Sequence, residues 1–314
     1  MCTSSDSDTP TALQRTRLKS EIIGSYFKIE SDAQIVECCA RWSELGEIAV
    51  DTEYDCNFHS YGIHLGLIQI YDGTDFYIID PLSREVTQEG LRRFFEHPVE
   101  KVWFDARGDS SIVKKLYHFE IANVFDLFSF AGRVGFSGNL YKMIENYLGT
   151  VVEINKKKNQ RTNWLKRPIN PGNLEYALLD VRYLIELKRR ISAEFIEKNP
   201  NVSIEEFKRM CAKSRANTRI DKVHRPPYWS TLSRSEKKYA AALWKLRDEI
   251  ARSLNIPVGF FLQKQVITDL AVKRPKTKEE LGSRLRHANK RLSNAVIDKF
   301  WAVFEKPETE NESD

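Results

Sequence analysis

Between Glu47 and Asp80 the apolar residues gather in short runs: Ile48-Ala49-Val50-Asp51, Gly66-Leu67-Ile68-Gln69-Ile70-Tyr71 and Phe76-Tyr77-Ile78-Ile79-Asp80. Runs of this length, rich in β-branched and aromatic residues, predict strands. Tyr71-Asp72-Gly73-Thr74-Asp75 has the composition of a hairpin turn, so an antiparallel meander is expected. Further along, the period lengthens. Helices are predicted at 87–97, 110–119, 140–148 and 174–198, the last introduced by Pro171-Gly172-Asn173, with a short strand at 101–104 and a strand or turn at 123–125. Strands first, then strand and helix in alternation, then helices alone describe an α/β domain.

Residues 199–232 read as a linker. They contain Asn199-Pro200-Asn201, a short helical pattern over 204–216, and His224-Arg225-Pro226-Pro227, whose prolines cannot continue a helix. Beyond them the pattern is wholly helical. Ser233 or Ser235 can cap a helix that runs to about 254 on Tyr239, Leu243, Leu246 and Ile250, and further helices are expected at 263–271, 277–285 and 289–304. The expected organisation is an N-terminal extension (1–26), an α/β domain (27–198), the linker (199–232), a small all-α domain (233–305) and an acidic tail (306–314).

Composition narrows the class. The 314 residues are 41% hydrophobic and 30% charged, enough apolar material for real cores. The longest apolar runs fall well short of the ~20 residues a membrane helix needs. Met1 to Ala12 has neither the apolar stretch of a secretory signal nor the arginines of a transit peptide. A cytoplasmic address is expected, with the nucleus as the alternative. The five cysteines (Cys2, Cys38, Cys39, Cys56, Cys211) have no CxxC or finger spacing, which argues against a disulfide scaffold and a structural zinc site. The formal charge of +5 hides an asymmetry: 25 Lys+Arg face 29 Asp+Glu across residues 1–200, but 23 face 11 across residues 201–305. A basic half of this kind is a footprint for polyanions.

The acidic half carries the candidate chemistry. Strand alternation places Asp51 and Glu53 on one face, about 7 Å apart along the backbone. Two like charges there are most easily kept when a cation neutralises them, and hard oxygen ligands select Mg²⁺ or Mn²⁺. Asp109 follows the strand at 101–104, where a helix is expected to begin at about Ser110. Tyr176 and Asp180, four apart on a helix, share one helical face.

Asp51/Glu53, Asp109 and Tyr176-x-x-x-Asp180 resemble the three motifs of the DEDD 3′→5′ exonucleases, in the subgroup whose third motif is Tyr-x-x-x-Asp, and most closely the ribonuclease D family. Leu67-Ile68-Gln69-Ile70, Val124-Phe125-Asp126, Tyr147-Leu148-Gly149 and the stretch from Gln160 to Pro168 extend the likeness across residues 30–195. The segment from Ser233 to Glu305 resembles an HRDC domain, a nucleic-acid-binding accessory. Phe104 departs from the pattern, since ribonuclease D relatives usually carry His there. The resemblance implies an RNase H-like (DnaQ-like) mixed sheet flanked by helices, followed by the all-α HRDC domain.

It also implies roles. Asp51, Glu53 and Asp180 would hold the ion that activates water, Asp51 would bridge to a second ion by the leaving oxygen, and Asp109 would reach that ion or its water shell. Tyr176 would orient the attacking water. Two divalent ions, Mg²⁺ or Mn²⁺, are the implied cofactors. The implied partner is RNA with a free 3′ end, cut to nucleoside 5′-monophosphates by a monomer whose work is trimming structured precursors such as tRNA 3′ ends. Grip on the strand is expected from Lys156, Lys157, Lys158, Arg161, Trp164, Lys166 and Arg167 in one loop, with Trp164 either stacking on a base or plugging the core. Lys273, Arg274, Arg286, Lys290 and Arg291 would add a polyanion face on the C-terminal domain. Two other readings stay open: a DNA-directed exonuclease in repair, and a non-catalytic RNA-binding adaptor with the same fold.

Overall fold

A computed structural model describes residues 13–18, 23–152, 162–216 and 228–305. The chain divides into two compact units, one comprising Met1–Asp55 and Ile63–Ile220, the other Cys56–Gly62 and Asp221–Asp314.

The first unit is built on a seven-stranded sheet: β1 (Gln14–Arg17), β2 (Ser25–Ile29), β3 (Glu47–Cys56), β4 (Ile63–Tyr71), β5 (Phe76–Ile79), β6 (Glu100–Trp103) and β7 (Val124–Asp126), in the order β1-β2-β5-β4-β3-β6-β7. β4 and β5 pair antiparallel, while β3–β6, β6–β7 and β2–β5 are parallel, so the sheet is mixed. Gln14–Arg17, within the stretch read as an N-terminal extension, pairs antiparallel with β2.

Alternation along β3 divides its side chains between two cores. Ile48 and Val50 join the core with helices α1 (Asp32–Leu45), α2 (Gln88–Phe95) and α3 (Arg107–Tyr117), while Ala49 joins the core with α4 (Leu127–Arg133), α5 (Leu140–Leu148), α6 (Pro171–Arg182) and α7 (Leu184–Lys198). Asp51 and Glu53 continue the Ala49 face by the same period. Local caps set the helix ends. Ser31 accepts from the Gln34 amide at the start of α1, Gly46 closes it at φ 82°, and Asn139 accepts from the Lys142 amide at the start of α5.

The periodicity that predicts one helix over 174–198 spans two. Tyr183 interrupts it with a bridge-region backbone (φ −106°, ψ −3°), and Arg182 lies over the rings of Tyr71 and Tyr183. The break lets α6 pack on β4 while α7 packs on α4 and β6. A further helix, α8 (Ile204–Ala216), closes this unit. Its Lys208 ammonium pairs with Glu100, which also receives Lys188 from α7.

The second unit is helical: α9 (Arg234–Ser253), α10 (Val258–Phe261), α11 (Lys264–Val272), α12 (Lys278–Ala288) and α13 (Asn294–Glu305), around Leu243, Ile250, Phe261, Ile267, Leu281 and Phe300. Ser233 and Glu236 form a reciprocal capping box at the start of α9. No helix among the described residues is long and apolar enough to cross a membrane.

Candidate active site

β3 delivers Asp51 and Glu53, and α6 delivers Tyr176 and Asp180. Asn170 caps α6 by accepting from the Gly172 amide, and Pro171 opens it with its φ preset, so the helix starts at a defined residue. One turn separates Tyr176 from Asp180, which places phenol and carboxylate one above the other. Candidate ligand oxygens of Asp51, Glu53 and Asp180 all lie within 4.8 Å of one another.

That crowding has an electrostatic cost. Burial, then the charges of Asp109 and Asp180, then Glu53 push the Asp51 carboxyl well above the usual carboxylate range. Glu53 is raised by burial and by Asp180 and Asp109. The Tyr176 phenol is pushed up by burial and by Asp180, so it keeps its proton at neutral pH. Three hard oxygen donors that repel one another suit a divalent cation, which replaces the repulsion with attraction.

Asp109 lies outside this close group. α3 begins at Arg107 with Ala106 as its N-cap, earlier than the Ser110 start expected, so Asp109 sits inside the first helical turn. The earlier start follows from Ala106, whose carbonyl accepts from both the amide and the hydroxyl of Ser110. Thr52, between the two β3 carboxylates, donates its hydroxyl to Asp109 Oδ1 at 2.5 Å. Burial raises Asp109 to about 6, against the opposing pull of that hydrogen bond. Asp105 is exposed at φ 57°, its amide bound to Asp126 Oδ1 at 2.9 Å.

A cavity of about 460 Å³ opens beside the carboxylates, lined by Asp51, Phe104, Asn139, Leu140, Tyr141, Tyr176, Asp180 and Leu184. Phe104 contributes an apolar wall, its ring edge-on to Phe128 at 5.6 Å. Two contributors escape the motif search. Gln69 Nε2 donates to Asp51 Oδ2 at 3.1 Å, and Tyr141 Oη donates to Asp180 Oδ1. Gln69 left a trace in the sequence, as a polar residue inside the apolar run Leu67-Ile68-Gln69-Ile70, and the structure buries it fully. Tyr141 left none, because an aromatic on an amphipathic helix looks like core.

The expected strand-binding loop changes on inspection. Trp164 is 3% exposed and packs in the main core, so it cannot stack on a base. Arg167 is spent on structure: Nε and Nη2 each donate to Asp80 at 2.7 Å, and Nη2 and Nη1 donate to the carbonyls of Gly66 and Trp164. A guanidinium with that many fixed acceptors has no fork left for a phosphate. Lys166 is exposed, and Lys156, Lys157, Lys158 and Arg161 lie outside the described residues. In the helical unit Lys273, Arg286, Lys290 and Arg291 are exposed, and Arg274 stacks over Tyr239 at 4.2 Å.

Comparison with known proteins agrees with this geometry. A family model described as 3′-5′ exonuclease matches residues 26–196, and an HRDC domain model matches residues 236–291. Ribonuclease D of Desulfotalea psychrophila is 27% identical over 276 residues, covering 82% of this chain and 68% of its own. The crystal structure of Escherichia coli RNase D superposes with a TM-score of 0.68 at 23% identity, covering 90% of this chain and 76% of that one. The catalytic core of RRP6 from Trypanosoma brucei gives 0.72 at 21%, covering 92% and 80%. By its exonuclease module, its carboxylate cluster and the HRDC domain that follows, this chain belongs to the 3′-5′ exonuclease family, in the ribonuclease D arrangement.

Proposed function

We propose that this chain is a divalent-metal-dependent 3′→5′ exoribonuclease that releases nucleoside 5′-monophosphates from the 3′ end of RNA. The observation that carries the reading is the convergence of Asp51, Glu53 and Asp180 within 4.8 Å at the edge of a cavity that also holds Tyr176. Mg²⁺ or Mn²⁺ ions, when bound, supply charge relief at the phosphate and acidify the attacking water. Asp51, Glu53 and Asp180, with Asp109 close by, are the residues that would hold them. Tyr176 keeps its proton, so its hydroxyl orients the nucleophile and does not act as the base. The cavity walls Phe104, Leu140 and Leu184 give the terminal nucleoside an apolar surface.

RNA is the favoured substrate because the curated relative is a ribonuclease D and the E. coli structure is described as an exoribonuclease involved in structured RNA processing. Trimming of structured precursors such as tRNA 3′ ends, by a monomer, is the physiological role we propose. The exposed Lys166, Lys273, Arg286, Lys290 and Arg291 would neutralise backbone phosphates. Working boundaries are 27–198 for the exonuclease domain and 233–305 for the HRDC domain. A DNA-directed exonuclease has the same carboxylate chemistry, whereas a non-catalytic adaptor would have no need of the complete set Asp51, Glu53, Asp109 and Asp180. Digestion of matched single-stranded RNA and DNA oligonucleotides with Mg²⁺ separates these readings. Faster shortening of the RNA from its 3′ end is expected. Preference for DNA, or no digestion of either, would refute the assignment.

A further inference from the structure

We propose that Tyr141 is a positioning residue of the active site, fixing the Asp180 carboxylate through a hydrogen bond. The proposal rests on the metal-dependent reading above, and it adds a residue that lies outside the three acidic motifs.

The backbone of Tyr141 is fixed from several directions. It is the second residue of α5, directly after the Asn139 cap and Leu140, and the helix is closed at its other end by Gly149 at φ 66°. Leu140, Met143 and Ile144 bury the inner face of α5 in the main core. With the helix so anchored, the Tyr141 ring reaches the cavity wall beside Asp51, Tyr176 and Asp180. Its hydroxyl donates to Asp180 Oδ1.

A half-buried tyrosine usually finds some partner for its hydroxyl. Here the acceptor is a metal-ligand candidate. A carboxylate presents two oxygens, and a donor fixed on one of them restricts the rotamers open to the group. Partners of this kind, which orient a ligating group without touching the ion, typically contribute 10- to 100-fold to metal affinity or activity.

Tyr141→Phe removes one oxygen and keeps the ring that packs against the core. Manganese binding to the full-length protein, followed by calorimetry or electron paramagnetic resonance, is the direct readout, with metal-free thermal unfolding as the measure of folding. The expected result is an unchanged metal-free Tm, Mn²⁺ affinity weaker by about 10-fold, and a lower kcat with KM for RNA within about twofold of wild type. Equal Mn²⁺ affinity and equal kcat in wild type and Tyr141→Phe would overturn the proposal while leaving the metal site intact. Absence of Mn²⁺ binding to the wild-type protein would instead overturn the metal-dependent reading itself.

Discussion

Thr52 Oγ1 donates to Asp109 Oδ1 at 2.5 Å, from the strand position between Asp51 and Glu53. This one bond ties the helix after β6 to the strand that carries two of the clustered carboxylates. Its donor lies on the opposite face of β3 from both of them, as strand alternation requires. Thr52→Val keeps the branched shape and removes the donor. With Asp109 released, kcat is expected to fall about 10-fold at little change in KM. Steady-state kinetics on a short RNA checks this, and an unchanged kcat would mean that Thr52 only fills space.

Removing charge from the cluster should have opposite effects with and without metal. In the metal-free protein, Asp51 is forced up by burial and by the neighbouring Asp109, Asp180 and Glu53. Asp51→Asn relieves that repulsion, so the metal-free variant should unfold at a higher temperature than wild type. Added Mn²⁺ should raise the wild-type Tm by mass action and leave the variant almost unmoved. Thermal melts with and without Mn²⁺ read both effects, and an equal Mn²⁺-induced rise in the two proteins would exclude Asp51 as a ligand.

Trp164 should behave as a core residue and not as a base-stacking platform. A Cβ at Gly66 would stand 2.6 Å from Trp164 Cβ and 3.0 Å from its carbonyl oxygen, so backbone meets backbone there. Gly66→Ala is expected to cost about 1–3 kcal/mol of stability, and Trp164→Ala about 3–5 kcal/mol. Denaturant unfolding measures both. A fall in RNA affinity with stability intact would return Trp164 to the binding surface.

Much of this architecture was legible in the chain because its signals are local. The runs at Ile48, Leu67 and Phe76 became adjacent strands, Ser233 became a capping residue, and α5 spans the predicted 140–148. The pairing of Asp51 with Glu53 was legible from strand alternation, and that of Tyr176 with Asp180 from helix period. Features that depend on tertiary contacts were hidden. The break at Tyr183 follows from two helices needing different partners, which no period reports. α1 and α4 carry ordinary amphipathic patterns that the strand-rich reading of the first half passed over. Trp164 and Arg167 look like a nucleic-acid-binding pair in sequence, and only the fold shows one buried in the core and the other bound to Asp80. Tyr141 became visible only when α5 was seen beside α6.

Lys101 predicts a pH dependence of stability. Its side chain is fully buried in the first unit, with Nζ donating to the carbonyls of His97 at 2.6 Å and of Val99 and Ala122 at 3.3 Å. Burial pulls its ammonium from 10.5 down to about 7. Between those values the unfolded chain binds the proton and the folded one does not, so raising the pH favours the folded state. Wild type should therefore gain stability relative to Lys101→Met as pH rises from 7 toward 10, with a flat difference below 7. Paired denaturant titrations across that range give the comparison, and a pH-independent difference would show that Lys101 holds the same charge folded and unfolded.

The central claim is that Asp51, Glu53 and Asp180 carry metal-dependent hydrolysis while the basic surfaces carry binding. The most direct measurement is a time course on 5′-labelled single-stranded RNA with Mg²⁺ or Mn²⁺, run for wild type and Asp51→Asn beside an equilibrium binding titration of each. Wild type should shorten the RNA stepwise from its 3′ end and release nucleoside 5′-monophosphates, and Asp51→Asn should bind the RNA about as tightly yet leave it intact. Retained turnover in Asp51→Asn, or internal cleavage by wild type, would contradict the account.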